Sequence, residues 1–364
     1  MRQFPRMRRR AIPILVVVVL LLAAAVFFVL RRAGPPEAAR LLPDADAILY
    51  VDVASLRRGG VFSHMGAVTR EPGYEDFVRQ TGFQFERDLD QTAFAVHASR
   101  PPAPGAPPNP DADYPRYSEV FEGRFDADRI FRYFRPRSSG SERYRGIEVL
   151  SIPHEGRTVR FAILGPNLAT ASNTVSFDAI HQIIDHYRSV ALPFAGPPLL
   201  AGHYRRVPFA ALAWLIARVA PDSGRSAPTP AMSGIRISSL LGDLAAGSVV
   251  VGSLRFTGKV ELKVEALAPD EAHARRIADN AGAWLSMLRA LESGSETRGS
   301  DPDVKALFDS LKVEQQKESA VLRAEFPPKL LEKIVTEPPT PVGGTAPPPT
   351  TAPAQPQSRG KGKK

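Results

Sequence analysis

No cysteine occurs in these 364 residues. Structural disulfides, thiol nucleophiles, Cys-ligated zinc or iron–sulfur sites and a Cys-borne lipid anchor are therefore excluded. Charge of one sign is also scarce once position is considered. The net charge of +9 suggests nucleic acid, but eleven of the 47 basic residues lie near the ends: Arg2, Arg6, Arg8, Arg9, Arg10, Arg31, Arg32, Arg359, Lys361, Lys363 and Lys364. Residues 33–335 keep 36 basic against 37 acidic residues. A nucleic-acid-binding domain needs a basic face of its own, so no nucleic-acid partner is expected.

Long apolar runs are scarce as well. Residues 11–30, AIPILVVVVLLLAAAVFFVL, are uncharged throughout and as a helix would reach roughly 30 Å, the depth of a bilayer's hydrocarbon core. Five arginines precede the run and two follow it. That asymmetry places the N-terminus in the cytoplasm and exports the rest. Ala23 and Ala25 could form a cleavage site, but Val26–Leu30 continue the run and Arg31–Arg32 close it, so an uncleaved signal anchor is expected. A second apolar stretch, 209–220, is short and broken by Arg218; it reads as a buried core element.

Proline marks the boundaries. Residues 100–116 hold seven prolines and read as a long loop between two strands. Residues 336–364 lack apolar periodicity and read as a disordered, Pro-rich, basic tail.

Between these boundaries the pattern is α+β. KVELKVEAL (259–267) alternates apolar with charged residues, as a half-exposed antiparallel strand does, and Thr257-Gly258 suits a hairpin from strand 247–256. A helix follows, with Ile277, Ala281, Trp284, Leu285, Leu288 and Leu291 in one stripe. Strands at 311–317 and 319–326 and a short helix at 327–335 complete the second half. In the first half, strands are expected at 47–53, 91–98, 117–125, 146–152 and 157–164. Asp126 caps a helix carrying Ile130, Phe131 and Phe134, and a second helix covers 174–188. Segment 209–217 is the counterpart of strand 47–53.

Both halves thus read strand, helical region, strand, strand, helix, strand, strand, helix. RDLDQTAFAVHA (87–98) and GDLAAGSVVVGS (242–253) occupy the same place in that order and share three of twelve positions. An internal duplication is expected, with Leu89 equivalent to Leu244.

Catalytic spacings are weak. GSLRFTGK (252–259) has five residues between its glycines instead of a phosphate loop's four, with Val260 where a hydroxyl should bind magnesium. His181 and Asp185 are one helical turn apart but lack a zincin pattern. The remaining histidines, His64, His97, His154, His203 and His273, suggest no cluster. The carboxylate groups Asp44/Asp46, Glu86/Asp88/Asp90 and Asp111/Asp113 lack calcium-loop spacing and read as caps and turns. RIFRYFRPR (129–137) could stack on sugars or bases, but an amphipathic helix explains it more simply. No catalytic, cofactor-binding or metal-ligating residue is assigned, and no cofactor is expected.

LLPDADAILYVDVASLR (41–57), FEGRFDADRI (121–130) and EFPPKLLEKI (325–334) are similar to segments of an uncharacterised family of membrane-anchored exported bacterial proteins. That family opens on a Leu-Pro…Tyr-Val strand. The resemblance covers roughly 41–335 and implies location but no activity, so no functional residue carries over. The Pro-rich loop at 100–116 departs from the pattern.

The expectation is an N-terminal transmembrane helix followed by two similar antiparallel-sheet-plus-helix halves. Its parts are a basic cytoplasmic N-terminus (1–10), the signal anchor (11–30), a juxtamembrane linker (31–40), a first half (41–190), a linker (191–204), a second half (205–335) and the tail (336–364). The function expected is that of a single-pass inner-membrane envelope protein. Its exported, non-catalytic module would bind a protein partner or an anionic envelope polymer. The alternatives are a membrane-anchored hydrolase and a carrier of lipid or another apolar ligand.

Overall fold

The computed structural model describes residues 34–60, 72–97, 116–189, 196–219, 244, 247–294 and 302–327. The anchor at 11–30, most of the Pro-rich loop, the helix expected at 327–335 and the tail lie outside them. No helix among the described residues is long and apolar enough to cross a membrane.

The architecture is α+β, built on one antiparallel sheet. In chain order its strands are β1 (Ala47–Val51), β2 (Leu89–His97), β3 (Arg116–Gly123), β4 (Gly140–Tyr144), β5 (Ile147–His154), β6 (Arg157–Ile163), β7 (Leu168–Ser172), β8 (Ala211–Arg218), β9 (Val249–Phe256), β10 (Val260–Leu267), β11 (Lys312–Gln316) and β12 (Ser319–Phe326). All twelve join in the order β11-β12-β10-β9-β8-β1-β2-β3-β7-β6-β5-β4. The helices are α1 (Glu37–Arg40), α2 (Val53–Arg58), α3 (Pro72–Thr81), α4 (Phe85–Asp88), α5 (Ala127–Phe134), α6 (Asp178–Arg188), α7 (Pro198–His203), α8 (Glu271–Gly294) and α9 (Pro302–Ser310).

The two halves are not separate sheets. β1 and β8 pair at the centre, Tyr50 opposite Trp214. Segment 211–218, ALAWLIAR, has helix-favouring composition, yet it lies between two β-rich neighbours that satisfy both of its backbone edges. Tertiary pairing overrides local preference there.

Three boundaries differ from expectation. Residues 191–204 are not a plain linker: α7 lies within them, and its Leu199 and Leu200 are buried in the main core. The juxtamembrane stretch 31–40 ends in α1, whose Ala38 and Ala39 are also fully buried. The hairpin β11–β12 docks on β10 through β12 as β7 docks on β3, so its positional equivalent is β6–β7 and not the expected pair at 146–152 and 157–164. β4 is short and polar, β7 is rich in small residues, and neither carries an apolar run long enough to announce a strand.

Alternation divides the sheet into two faces. The first buries Ile48, Tyr50, Ala93, Ala95, Val120, Trp214, Ile216 and Val251 under α1, the residues just after it, α6 and α7, which contribute Ala38, Ala39, Leu42, Ile180, Ile183, Ile184 and Leu200. On the second face, α5 covers β6 and β7 through Ile130 and Phe134. Val53, Phe77 and Phe83 cover Leu89 and Phe121. At the far end Ile277 of α8 packs on Ala266 and Ala320.

Candidate functional site

Of the sequence-derived residues, His64, Asp111 and Asp113 lie outside the described residues. Asp88 is held by its own neighbourhood: Arg87 donates to both carboxylate oxygens (2.8 and 2.6 Å) and the Gln84 amide donates to Oδ2 at 3.0 Å. The Arg87 guanidinium holds its carboxyl below the usual range. Beside it the β2–β3 ladder is irregular, and a Cβ on Gly123 would come within 2.6 Å of the Asp88 carbonyl oxygen. Asp88 is therefore a structural clasp at a close backbone approach.

An open groove of about 480 Å³ lies alongside, lined by Arg87, Arg124, Arg129, Asp88 and Asp126 among others. Its arginines are already engaged. Arg87 pairs with Asp88, Arg129 with Asp126 at 3.5 Å, and Arg124 donates to the Arg87 carbonyl at 2.7 Å. Of the remaining carboxylates, Asp90 accepts from Arg57 at 2.6 Å and Glu86 from Tyr74 at 2.7 Å.

His181 and Asp185 do share one face of α6, and both meet β4. The His181 ring stacks on Tyr144 at 3.8 Å, with its Nε2 3.2 Å from Glu142. Asp185 accepts from the Tyr144 hydroxyl at 3.1 Å and pairs with Arg145 at 2.8 Å. The group fastens a helix to an edge strand. Among the described residues no group of three His, Asp or Glu side chains is arranged to hold a metal ion. RIFRYFRPR turns its apolar side inward: Phe134 meets Phe161 at 4.9 Å, while Arg137 lies 3.8 Å over Tyr133.

A serine–histidine constellation that the sequence did not announce is present on the first face. His97 Nε2 lies 3.0 Å from Ser118 Oγ, which lies 3.0 Å from Ser172 Oγ, itself 2.9 Å from Thr174 Oγ1. Burial pushes the His97 pKa down against the opposing pull of Asp46 and the Asp44 backbone. Ser118 and Ser172 have no solvent exposure, so no substrate carbonyl can reach either oxygen. A nucleophile needs a space beside it for the reacting atom. The chain of hydroxyls is a satisfied polar seam within the core.

The second face holds the site that we consider functional. In-register pairing lines up one row of side chains across the sheet: Phe161, Ala171, Glu119, Phe94, Leu49, Leu215, Gly252, Val264 and Leu322. A flanking row runs Thr92, Val51, Ala213, Leu254, Leu262. Toward β6 the row is covered by α5. In its middle Leu49 and Phe94 are only half-buried, as is Leu254 of the flanking row, and Leu215 keeps 37% of its surface exposed. Phe256 and Phe209 nearby are 55% and 72% exposed. A Cβ on Gly252 would touch only Leu215, at 3.9 Å, so the row has a notch one side chain deep.

Glu119 is the single ionisable member of the nine-residue row. Thr92 Oγ1 donates to its Oε1 at 3.0 Å, leaning the carboxyl toward β2 and the half-buried middle of the row. Burial without a compensating cation pushes its pKa up to about 8, against a smaller lowering effect of the Thr92 hydrogen bond. At neutral pH it is an uncharged acid, and among the described residues its second oxygen has no partner. A sequence signal existed: in YSEVFEG, Glu119 is in phase with Tyr117 and Phe121 and out of phase with Ser118.

Comparisons with known proteins add no assignment. No protein-family model and no curated protein matches the chain. The resemblance of 41–57, 121–130 and 325–334 therefore stands on those segments alone. Among solved structures, crystal form III of TP0453 is similar over 83% of this chain and 98% of that one, at 10% identity and a TM-score of 0.43. Crystal forms I and IV give 8% and 9% identity, TM-scores of 0.41 and 0.40, and the same 83% of this chain with 97% of the other. A likeness this distant establishes neither the fold nor the function of this chain.

Proposed function

We propose that this chain is a membrane-held, non-catalytic binding protein. Residues 11–30 anchor it in the inner membrane with the N-terminus inside, and the α+β module works in the exported envelope compartment through the partly exposed second face of its sheet. The observation that carries this reading is the row Phe94–Leu49–Leu215–Gly252, apolar, half-exposed and covered by no described helix. Contiguous apolar surface of this kind marks an interaction site. It favours an apolar ligand over the anionic polymer, because no lysine or arginine lies in either row. A hydrolase is disfavoured by the engagement of His181 and Asp185 with β4 and by the sealed Ser118.

An origin by duplication belongs to the same reading. The sheet order is symmetric about the β1–β8 seam through β2/β9, β3/β10, β7/β12 and β6/β11. Leu89 packs beside Phe121 and Phe125, and Leu244 beside Ala266 and Ala268. Leu244, however, precedes β9, whereas Leu89 opens β2.

Reporter fusions after residue 36 and after residue 335 test the topology. Activity of an export-dependent reporter at both positions is expected. Activity at neither would overturn the exported reading.

A further inference from the structure

We infer that the second-face row is a site for one acyl chain of a membrane lipid, lying across the strands from Phe94 toward Val264 with its polar end at Glu119 and Thr92. This rests on the proposed anchoring and deepens it by naming the ligand.

Four observations carry it. The first is shape. The notch at Gly252 is open, and a glycine inside a central strand marks close approach by a ligand or another backbone. A notch one side chain wide admits an extended hydrocarbon and not a helix of ~10 Å diameter.

The second is length. Phe94 to Val264 spans four strand-to-strand steps, from β2 to β10, about 19 Å at ~4.8 Å each. One leaflet's hydrocarbon, half of a bilayer core, is about 15 Å deep. A single lipid chain of that depth covers about three of the four steps, from Phe94 to the notch at Gly252.

The third is the polar end. An uncharged carboxylic acid with an unused O–H donor can bond an ester or carboxyl oxygen without placing a net charge beside the chain. Tyr117, two residues away on the same strand and face, is titratable, and burial followed by the charge of Glu119 pushes its pKa further up. On β2 and β7 the residues opposite and diagonal to Glu119 on its face, Thr92, Phe94, Val96, Ala169 and Ala171, do not titrate.

The fourth is reach. Six residues, 31–36, separate the apolar run from α1, whose Ala38 and Ala39 are locked in the core. Fully extended they cover at most about 20 Å. A module on so short a tether stays at the bilayer surface, where lipid is the abundant apolar ligand.

The test uses the full chain in phosphatidylethanolamine–phosphatidylglycerol vesicles carrying a phospholipid with a mid-chain diazirine. Irradiation is followed by mapping of adducts by mass spectrometry. Adducts at Leu49, Phe94, Leu215 or Val264 are expected. Gly252→Leu, which fills the notch at a backbone conformation open to any residue, should cut their yield about tenfold, equal to ~1.4 kcal/mol of binding. Should that variant fold poorly, Leu215→Gln serves in its place. Wild-type yield should fall as pH rises through about 8, and Glu119→Gln should remove that dependence. Adducts in 11–30 with none in the sheet, or sheet adducts indifferent to both variants, would overturn the lipid inference while leaving the anchor intact. No sheet adducts, with a dimer captured by glutaraldehyde in the same vesicles, would overturn it in favour of a second copy. Absence of adducts in 11–30 would instead sink the anchoring itself.

Discussion

Tyr50 and Trp214 stack at 5.4 Å between ring centroids, with their planes 20° apart, directly opposite one another on β1 and β8. Both are almost fully buried. This contact is where two halves of a chain, 164 residues apart in sequence, become one sheet with one main core. Stacking of this kind contributes about 0.5–1.5 kcal/mol beyond the area it buries.

Trp214→Ala should destabilise the module by about 3–5 kcal/mol through lost burial and the cavity left behind. The main core is continuous across the seam, so urea unfolding of the wild type should be one transition reported alike by probes in each half. Two transitions at separate midpoints would show that the halves fold as independent domains.

Glu119 should make stability depend on pH. Its folded pKa is about 8 against an ordinary value of 4.5. Between these pH values the unfolded chain has released a proton that the folded chain keeps, so stability falls as pH rises across that window. The size is on the order of 5 kcal/mol at ~1.36 kcal/mol per unit. Glu119→Gln should therefore melt higher than wild type at pH 9 and close to it at pH 4. Equal differences at both pH values would contradict the assignment.

The buried hydroxyl chain should behave as structure. Ser118→Ala removes the hydroxyl partner of His97 Nε2 and one of the partners of Ser172 Oγ, which keeps Thr174 Oγ1, and should cost about 1–3 kcal/mol in equilibrium unfolding. His97 adds an acid-side dependence. Its pKa is pushed below 6.5, so its contribution is present above that value and is lost as pH falls toward the folded pKa. A His97→Gln variant should show a shallower loss of stability below pH 6.5.

At the sheet's far edge, Asp185→Asn should cost no more than about 1 kcal/mol, because its pair with Arg145 is solvent-screened. The side chains are 36% and 54% exposed. Its visible effect should be faster amide exchange in Gly140–Tyr144, the edge strand that the helix fastens. Unchanged exchange there would place the fastening elsewhere.

Much of this architecture was legible in the chain. The strict alternation of 259–267 located β10, and Asp126 capped α5, accepting from the Arg129 amide at 3.0 Å. Segment 209–217 was correctly read as a strand despite its helix-favouring composition. What could not be read was register. The row that joins Phe94 to Leu49, Leu215 and Gly252 exists because four distant segments pair in one particular alignment, and no local pattern encodes which residues meet. The same holds for Ser118 opposite Ser172, 54 positions apart. α7 was missed because PLLAGH follows Gly-Pro and looks like a linker; only the core shows why Leu199 and Leu200 are there. Glu119 carried a local signal, a carboxylate in phase with aromatics, but its meaning depended on the absence of a cation across the strands.

The central claim is that this membrane-held module binds through the second face of its sheet. It is tested most directly by placing a photocrosslinking amino acid at Leu215 or Leu254 of the full chain in intact membranes, with Lys312 on the edge strand as the control. The account predicts specific adducts from 215 and 254 and none from 312. Equal capture from all three positions, or capture from 312 alone, would contradict it.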